Sequence, residues 1–122
     1  MLKLIKFTSQ SSAIRNVIQV LSKRKSEILF SLIITVLIIL FASIILYVAE
    51  GKAQPEAFGS IIRAFWWSTI TLTTIGYGDV YPITIVGRIA TIIIAIAGIG
   101  IVAIPAGIIA GGFSELMRKK NK

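Results

Sequence analysis

Thr74-Ile75-Gly76-Tyr77-Gly78-Asp79 is the stretch on which the reading of this chain turns. Its glycines alternate with bulkier residues, and glycine takes positive φ as readily as negative, so the backbone here can adopt angles that other sequences resist. Such angles aim successive carbonyls the same way. Upstream, Ala64 to Gly78 carries no charge yet is too short to span a bilayer, and it is studded with Ser68, Thr69, Thr71, Thr73 and Thr74. Ser60 is a fitting N-cap, and a helix from Ile61 to Thr73 would measure about 20 Å, which reaches only partway into a hydrocarbon core of about 30 Å. The segment therefore enters and returns on one side, with the carboxyl end of its helix pointing at the bilayer centre. Non-helical backbone at that depth is tolerated only where it is buried in protein or lines a water-filled cavity. Its carbonyls need a polar partner, and a dehydrated cation is one.

Working outward, two charge-free stretches flank this segment. Ile28 to Ala49 lies between Glu27 and Glu50, and Ile89 to Ser114 lies between Arg88 and Glu115. At 1.5 Å per residue the first spans about 33 Å, enough to cross. The whole chain has 122 residues, 56% of them hydrophobic and only 15% charged, where soluble domains have about a quarter charged. The bilayer is the expected solvent. Cys and His are both absent, which removes disulfides, thiol chemistry, common zinc sites and the usual general base. An enzyme is not expected.

Charge placement orients the spans. Lys3, Lys6, Arg15, Lys23, Arg24 and Lys25 face Glu27 alone before the first, and Arg118, Lys119, Lys120 and Lys122 face Glu115 alone after the second. Between them Lys52, Arg63 and Arg88 are balanced by Glu50, Glu56 and Asp79. The positive-inside rule then places both termini in the cytoplasm and the middle segment outside, in a multi-pass protein of the cell membrane. That rule accounts for the net charge of +8, so nucleic acid is not an expected partner; anionic lipid at the basic ends is.

With these residues in view, the chain resembles the pore module of a prokaryotic voltage-gated-type potassium channel. The hexapeptide resembles the family's selectivity filter, and Phe65-Trp66-Trp67 sits where its pore helix has aromatics. The resemblance implies an all-α membrane protein, with two transmembrane helices, a re-entrant pore helix and filter, in the tetrameric potassium-channel pore fold. It implies K⁺ as permeant ion, without a further cofactor, held by the carbonyls of Thr74, Ile75, Gly76 and Tyr77 and the Thr74 hydroxyl, with Gly78 completing the filter and Thr73 flooring the inner cavity. It implies a homotetramer, since one chain supplies a quarter of such a ring. Trp66 would donate to Asp79, and Trp67 would brace Tyr77 of an adjacent subunit. The chain departs from the family pattern at Ile62 and Arg63, where many relatives carry a proline and an acid, and at Ile70, where some carry a glutamate.

The second span carries Gly98, Gly100, Pro105 and Gly107. Counted from Ile89, Gly98 lies about 14 Å in and Pro105 about 24 Å in. Glycine commonly serves close packing in membrane helices, and proline kinks them. Ala95-Ile96-Ala97-Gly98 followed by Pro105-Ala106-Gly107 resembles a voltage-gated inner helix with a hinge at Gly98 and the Pro-Ala-Gly of slowly activating, M-type channels. Ile104 and Ile108 are the candidate hydrophobic constriction. In the first 27 residues, Ile14, Val17, Ile18 and Leu21 recur at helical spacing behind Ser11 and Ser12, the pattern of an interfacial helix capped there. The resemblance makes it a linker from a voltage sensor, with Leu2 to Phe7 similar to the last turns of a sensor helix, and makes the chain a pore module without a sensor of its own. The expected organisation is linker 1–27, outer helix 28–49, turret, pore helix and filter 50–88, inner helix 89–114 and basic tail 115–122. The competing functions are a potassium transporter subunit and a non-conducting membrane assembly protein; the latter gives no account of the hexapeptide.

Overall fold

A computed structural model describes residues 2–121, with side chains described from Ser12 onward. The chain is helical: α1 (Leu2–Lys23), α2 (Lys25–Glu50), α3 (Pro55–Phe58), α4 (Ile61–Leu72) and α5 (Ile85–Lys120). No strand occurs among the described residues. The two longest helices are α2 and α5, and both are apolar enough to cross a membrane. They begin before and end after the charge-free limits at Ile28, Ala49, Ile89 and Ser114, because charge marks where the bilayer stops whereas Lys, Arg and Glu continue a helix well. Only 22% of the most apolar window of α2 and 11% of that of α5 is buried within the chain. A core helix of a soluble protein would be covered; these are left for lipid or for other copies.

Two compact units divide the contacts, one of residues 32–103 and one of residues 1–31 with 104–122. In the first, α2 turns Ile39, Ala42 and Leu46 inward at helical spacing, against Phe58, against Ala64, Trp67 and Leu72 of α4, and against Ile94 of α5. Ser43 lies in the same buried stripe and satisfies its hydroxyl by donating to the Ile39 carbonyl at 2.6 Å. Ser60 caps α4 by accepting from the Arg63 amide at 3.2 Å, and Thr73 closes the helix at its other end. Arg63, where an acid would favour a helix start, works for the preceding helix instead: its guanidinium donates to the carbonyls of Pro55 and Glu56 at 3.2 and 2.9 Å, groups that a four-residue helix leaves without partners.

In the second unit, α1 runs unbroken through Ser11 and Ser12, so neither begins a helix as the sequence led us to expect. The break falls at Arg24, whose amide still bonds to Val20 and whose carbonyl accepts from Ile28. Ile14, Val17, Ile18 and Leu21 are all exposed, and the residue of α1 that packs is Val20, 3% exposed, into the notch left by Gly112, where a Cβ would lie 2.6 Å from Val20 Cγ1. Arg24 donates to Glu115 at 2.6 Å, Lys23 lies 3.5 Å from the same carboxylate, and Lys120 donates to Asn16 at 2.9 Å. The bond to Glu115 raises the already high pKa of Arg24. The sensor-like reading of Leu2 to Phe7 concerns side chains outside the described residues.

Candidate functional site: the carboxyl end of α4 and its loop

The last turn of α4 is tied off by threonines. Thr69 donates its hydroxyl to the Phe65 carbonyl at 2.8 Å, and Thr73 sends both its amide, at 3.0 Å, and its hydroxyl, at 2.6 Å, to the Thr69 carbonyl. Hydroxyls that bond back onto the preceding turn need no other acceptor, which lets a polar residue sit in an apolar helix. Because the Thr73 proton is committed to Thr69, the lone pairs of its oxygen are what it presents outward.

Beyond Thr73 the backbone alternates. Thr74, Gly76 and Gly78 have φ of 64°, 57° and 77°, while Ile75 and Tyr77 between them do not have positive φ. For a threonine this is a true outlier, costing about 1 to 2 kcal/mol, and a β-branched side chain makes it rarer still. A Cβ at Gly76 or Gly78 would meet nothing within 4 Å, so it is the backbone angle and not crowding that calls for glycine. Two amides fold this loop back onto α4: Thr74 N–H reaches the Thr71 carbonyl at 3.1 Å and Gly76 N–H the Ile70 carbonyl at 2.9 Å. Among the described residues, nothing donates to the carbonyls of Thr74, Ile75, Gly76 or Tyr77. Backbone acceptors are ordinarily accounted for, and here a consecutive run is left open with its hand alternating residue by residue. Such a run can ligate a hard cation in place of its water.

Around the loop the two tryptophans separate. The Trp66 indole N–H donates to Asp79 Oδ2 at 3.1 Å, and its ring stacks on Tyr77 with centroids 5.9 Å apart and planes 5° from parallel. Trp67 is 4% exposed and meets Phe58 edge-on, centroids 5.8 Å apart and planes at 65°. Within one chain, then, it is Trp66 that touches Tyr77; the Tyr77 ring remains 65% exposed.

The residue that sequence reasoning missed is Glu50. By its place in the sequence it reads as a loop charge, yet it is fully buried and accepts from Gln54 Nε2 at 2.8 Å, from the amides of Ile83 and Thr84 at 3.1 and 2.9 Å, and from the Thr84 hydroxyl. Thr84 in turn caps α5, its oxygen accepting from the Gly87 amide at 2.9 Å. A Cβ at Gly87 would lie 2.0 Å from the carboxylate, so the glycine makes room for it. The end of α2 is thereby fastened to the start of α5, and Gln54 extends the fastening to the Tyr81 carbonyl at 2.9 Å. A single acid at the edge of an apolar span gave no sign of this.

Of the inner-helix candidates, Gly98 is buried, with Leu72 of α4 lying over it. Pro105 sits inside α5 without ending it, Ile104 is 47% exposed, Ile108 is half-buried, and a Cβ at Gly107 would meet nothing within 4 Å. Among the described residues no cluster of three or more His, Cys, Asp or Glu could hold a metal.

Known proteins resemble this chain along nearly its whole length. The family model described as ion transport protein matches residues 1–121. The chain is 40% identical over 121 residues to a candidate potassium channel protein of Rhodopseudomonas palustris, covering 99% of this chain and 29% of that one. It is 45% identical over 85 residues to a cyclic nucleotide-gated potassium channel of Rhizobium etli, 69% of this chain and 24% of the relative. To the human potassium voltage-gated channel subfamily KQT member 4 it is 41% identical over 96 residues, 79% of this chain and 14% of the relative. The chain thus spans less than a third of the length of these curated relatives.

Proposed function

Since the chain belongs to the ion transport protein family, whose relatives here are channels and not enzymes, we propose that it forms a potassium-selective pore conducting K⁺ passively across the cell membrane. The observation that carries this reading is the run of open carbonyls from Thr74 to Tyr77, held by alternating backbone angles at the end of a helix too short to span. Thr74, Ile75, Gly76 and Tyr77 supply the carbonyls that replace the hydration shell of K⁺, the Thr74 hydroxyl adds a further oxygen, and Gly78 completes the turn. A single chain offers one wall of such a cage. Closing it takes four copies around the ion, so the working unit is a homotetramer. The negative ends of the α4 helices then converge below the filter, beside the Thr73 oxygens, and favour a cation there.

The remaining assignments follow from position. Trp66 and Asp79 hold the outer mouth, while Trp67 of one copy braces Tyr77 of the next. Ile104 and Ile108 form the inner constriction, moved by bending at Pro105 and Gly107. The cytoplasmic ends, rich in Lys and Arg, rest on anionic lipid and face both termini inward. A steep voltage response needs about 3 to 4 gating charges per subunit within the field. The basic residues of this chain lie at the ends of its spans, so it gates with weak voltage dependence when no sensor accompanies it. Potassium flux through purified protein in liposomes, with sodium as control, tests the proposal: selective K⁺ uptake supports it, and tight vesicles or equal uptake of both ions refute it.

A further inference from the structure

Leu72, the last residue of α4, is 3% exposed and belongs to the apolar cluster of Ile39, Leu46, Trp67 and Ile94. It lies over Gly98 of α5, where a Cβ would come within 2.0 Å of Leu72 Cδ2 and 3.3 Å of Cγ. Ordinary carbon contacts are about 3.5 to 4.0 Å. A Cβ at Gly100, one turn-half further along, would meet nothing within 4 Å. The missing side chain at 98 is therefore a notch filled by a specific knob. Every backbone bond that fastens the loop from Thr73 to Gly76 runs to Thr69, Ile70 or Thr71, in the turn that Leu72 completes. The loop hangs on that turn, and that turn rests on Gly98.

We propose that the seating of Leu72 on Gly98 positions the filter, so that the size of residue 98 determines ion selectivity although residue 98 never touches the ion. This rests on reading Thr74 to Tyr77 as the ion pathway. A lone methyl at 98 cannot be absorbed by swinging Leu72 aside, because Leu72 is enclosed by the cluster. The Leu72 Cα, at 3.8 Å, would stay in ordinary contact while Cδ2 has to move by about 1.5 Å, and because the cluster encloses that side chain the displacement is passed on to the last turn of α4 and to Thr73 and Thr74 beyond it. Truncating Leu72 as well removes the clash and lets the new methyl partly fill the space.

The test is a double-mutant cycle on the assembled channel in liposomes and planar bilayers, reading the K⁺ to Na⁺ permeability ratio from reversal potentials alongside the melting temperature in detergent. Gly98→Ala should lower the ratio by about tenfold or more, within the coupling range of residues in contact, and Gly98→Ala/Leu72→Ala should return to within about threefold of Leu72→Ala. Strictly additive losses would overturn the proposal. So would a Gly98→Ala channel with altered open probability and unchanged selectivity, the signature of a hinge alone. If Gly98→Ala does not assemble, the double variant decides: behaviour equal to Leu72→Ala supports the joint, and failure to assemble again refutes it. Wild-type liposomes equally permeable to both ions would refute the filter reading itself, and the positioning role with it; a selective wild type with an additive cycle refutes the joint only.

Discussion

The loop from Thr74 to Tyr77 and the Glu50 fastening lie in the same unit and treat polar groups in opposite ways. Around Glu50 every available valence is used: a buried carboxylate takes bonds from Gln54, Ile83 and Thr84, and Thr84 passes one on to Gly87. From Thr74 to Tyr77 the amides of Thr74 and Gly76 turn back to α4 while the carbonyls stay open. The saturated site is permanent, because any departure leaves a buried charge without partners. The open site holds its acceptors in reserve for a ligand that comes and goes. On the proposed function one architecture needs both, a rigid frame made by satisfying everything and a conduction path made by withholding satisfaction in a controlled run.

Breaking the open site should have the largest effect. Gly76→Ala places a side chain at φ of 57°, and we expect K⁺ over Na⁺ selectivity to vanish while membrane insertion is kept, since hydropathy hardly changes. A reversal potential like that of the wild type would contradict this. Breaking the saturated site comes next. Glu50→Ala takes the acceptor from the part-buried amides of Ile83 and Thr84, and with a net worth of about 1.5 to 3 kcal/mol for a hydrogen bond to a charged group it should cost about 2 kcal/mol or more of stability. Thermal unfolding in detergent measures it, and an unchanged midpoint would mean that water replaces the carboxylate.

The boundary between the two sites can be probed more gently. Trp66→Phe keeps a ring for Tyr77 and deletes the donor to Asp79, and should lose about 1 to 2 kcal/mol, seen as shorter open episodes in single-channel records at unchanged selectivity. Trp66→Ala should exceed it, because the stacking goes as well; equal effects would leave the ring contact without weight. The smallest change is expected at Glu115→Gln, which releases Arg24 and Lys23 at the exposed end of the second unit. Solvent and salt screen such pairs, so stability should scarcely move and any difference should shrink in high salt. A large, salt-independent loss would show that this pair is part of the frame.

These sites were unequally legible in the sequence. The loop announced itself because positive φ is written in glycines and the spans are bounded by charge. What the alphabet does not write is reciprocity. Glu50 is spelled like any boundary acid, and its role appears only when the start of α5 is brought to it. Arg63 falls where an acid was expected, and its use by α3 depends on a fold of the chain between Pro55 and Ser60. The periodic face of α1, Ile14, Val17, Ile18 and Leu21, read as interfacial, stays exposed, and the contact that α1 does make, Val20 against the notch at Gly112, lies off that face and was not visible in the pattern. Likewise the glycine at 98 was visible and its occupant, Leu72, was not.

The sparse burial of α2 and α5 within the chain, 22% and 11% of their most apolar windows, bears on how much of this protein is assembled at any moment. Lipid covers the apolar surface that the chain's own residues leave open, so if four copies close the pore as proposed, they do so by mass action, and the relevant concentration is copies per lipid in the plane of the membrane, not copies per litre. Diluting the protein with lipid at constant volume should therefore disassemble it, whereas diluting the vesicles with buffer should leave it untouched.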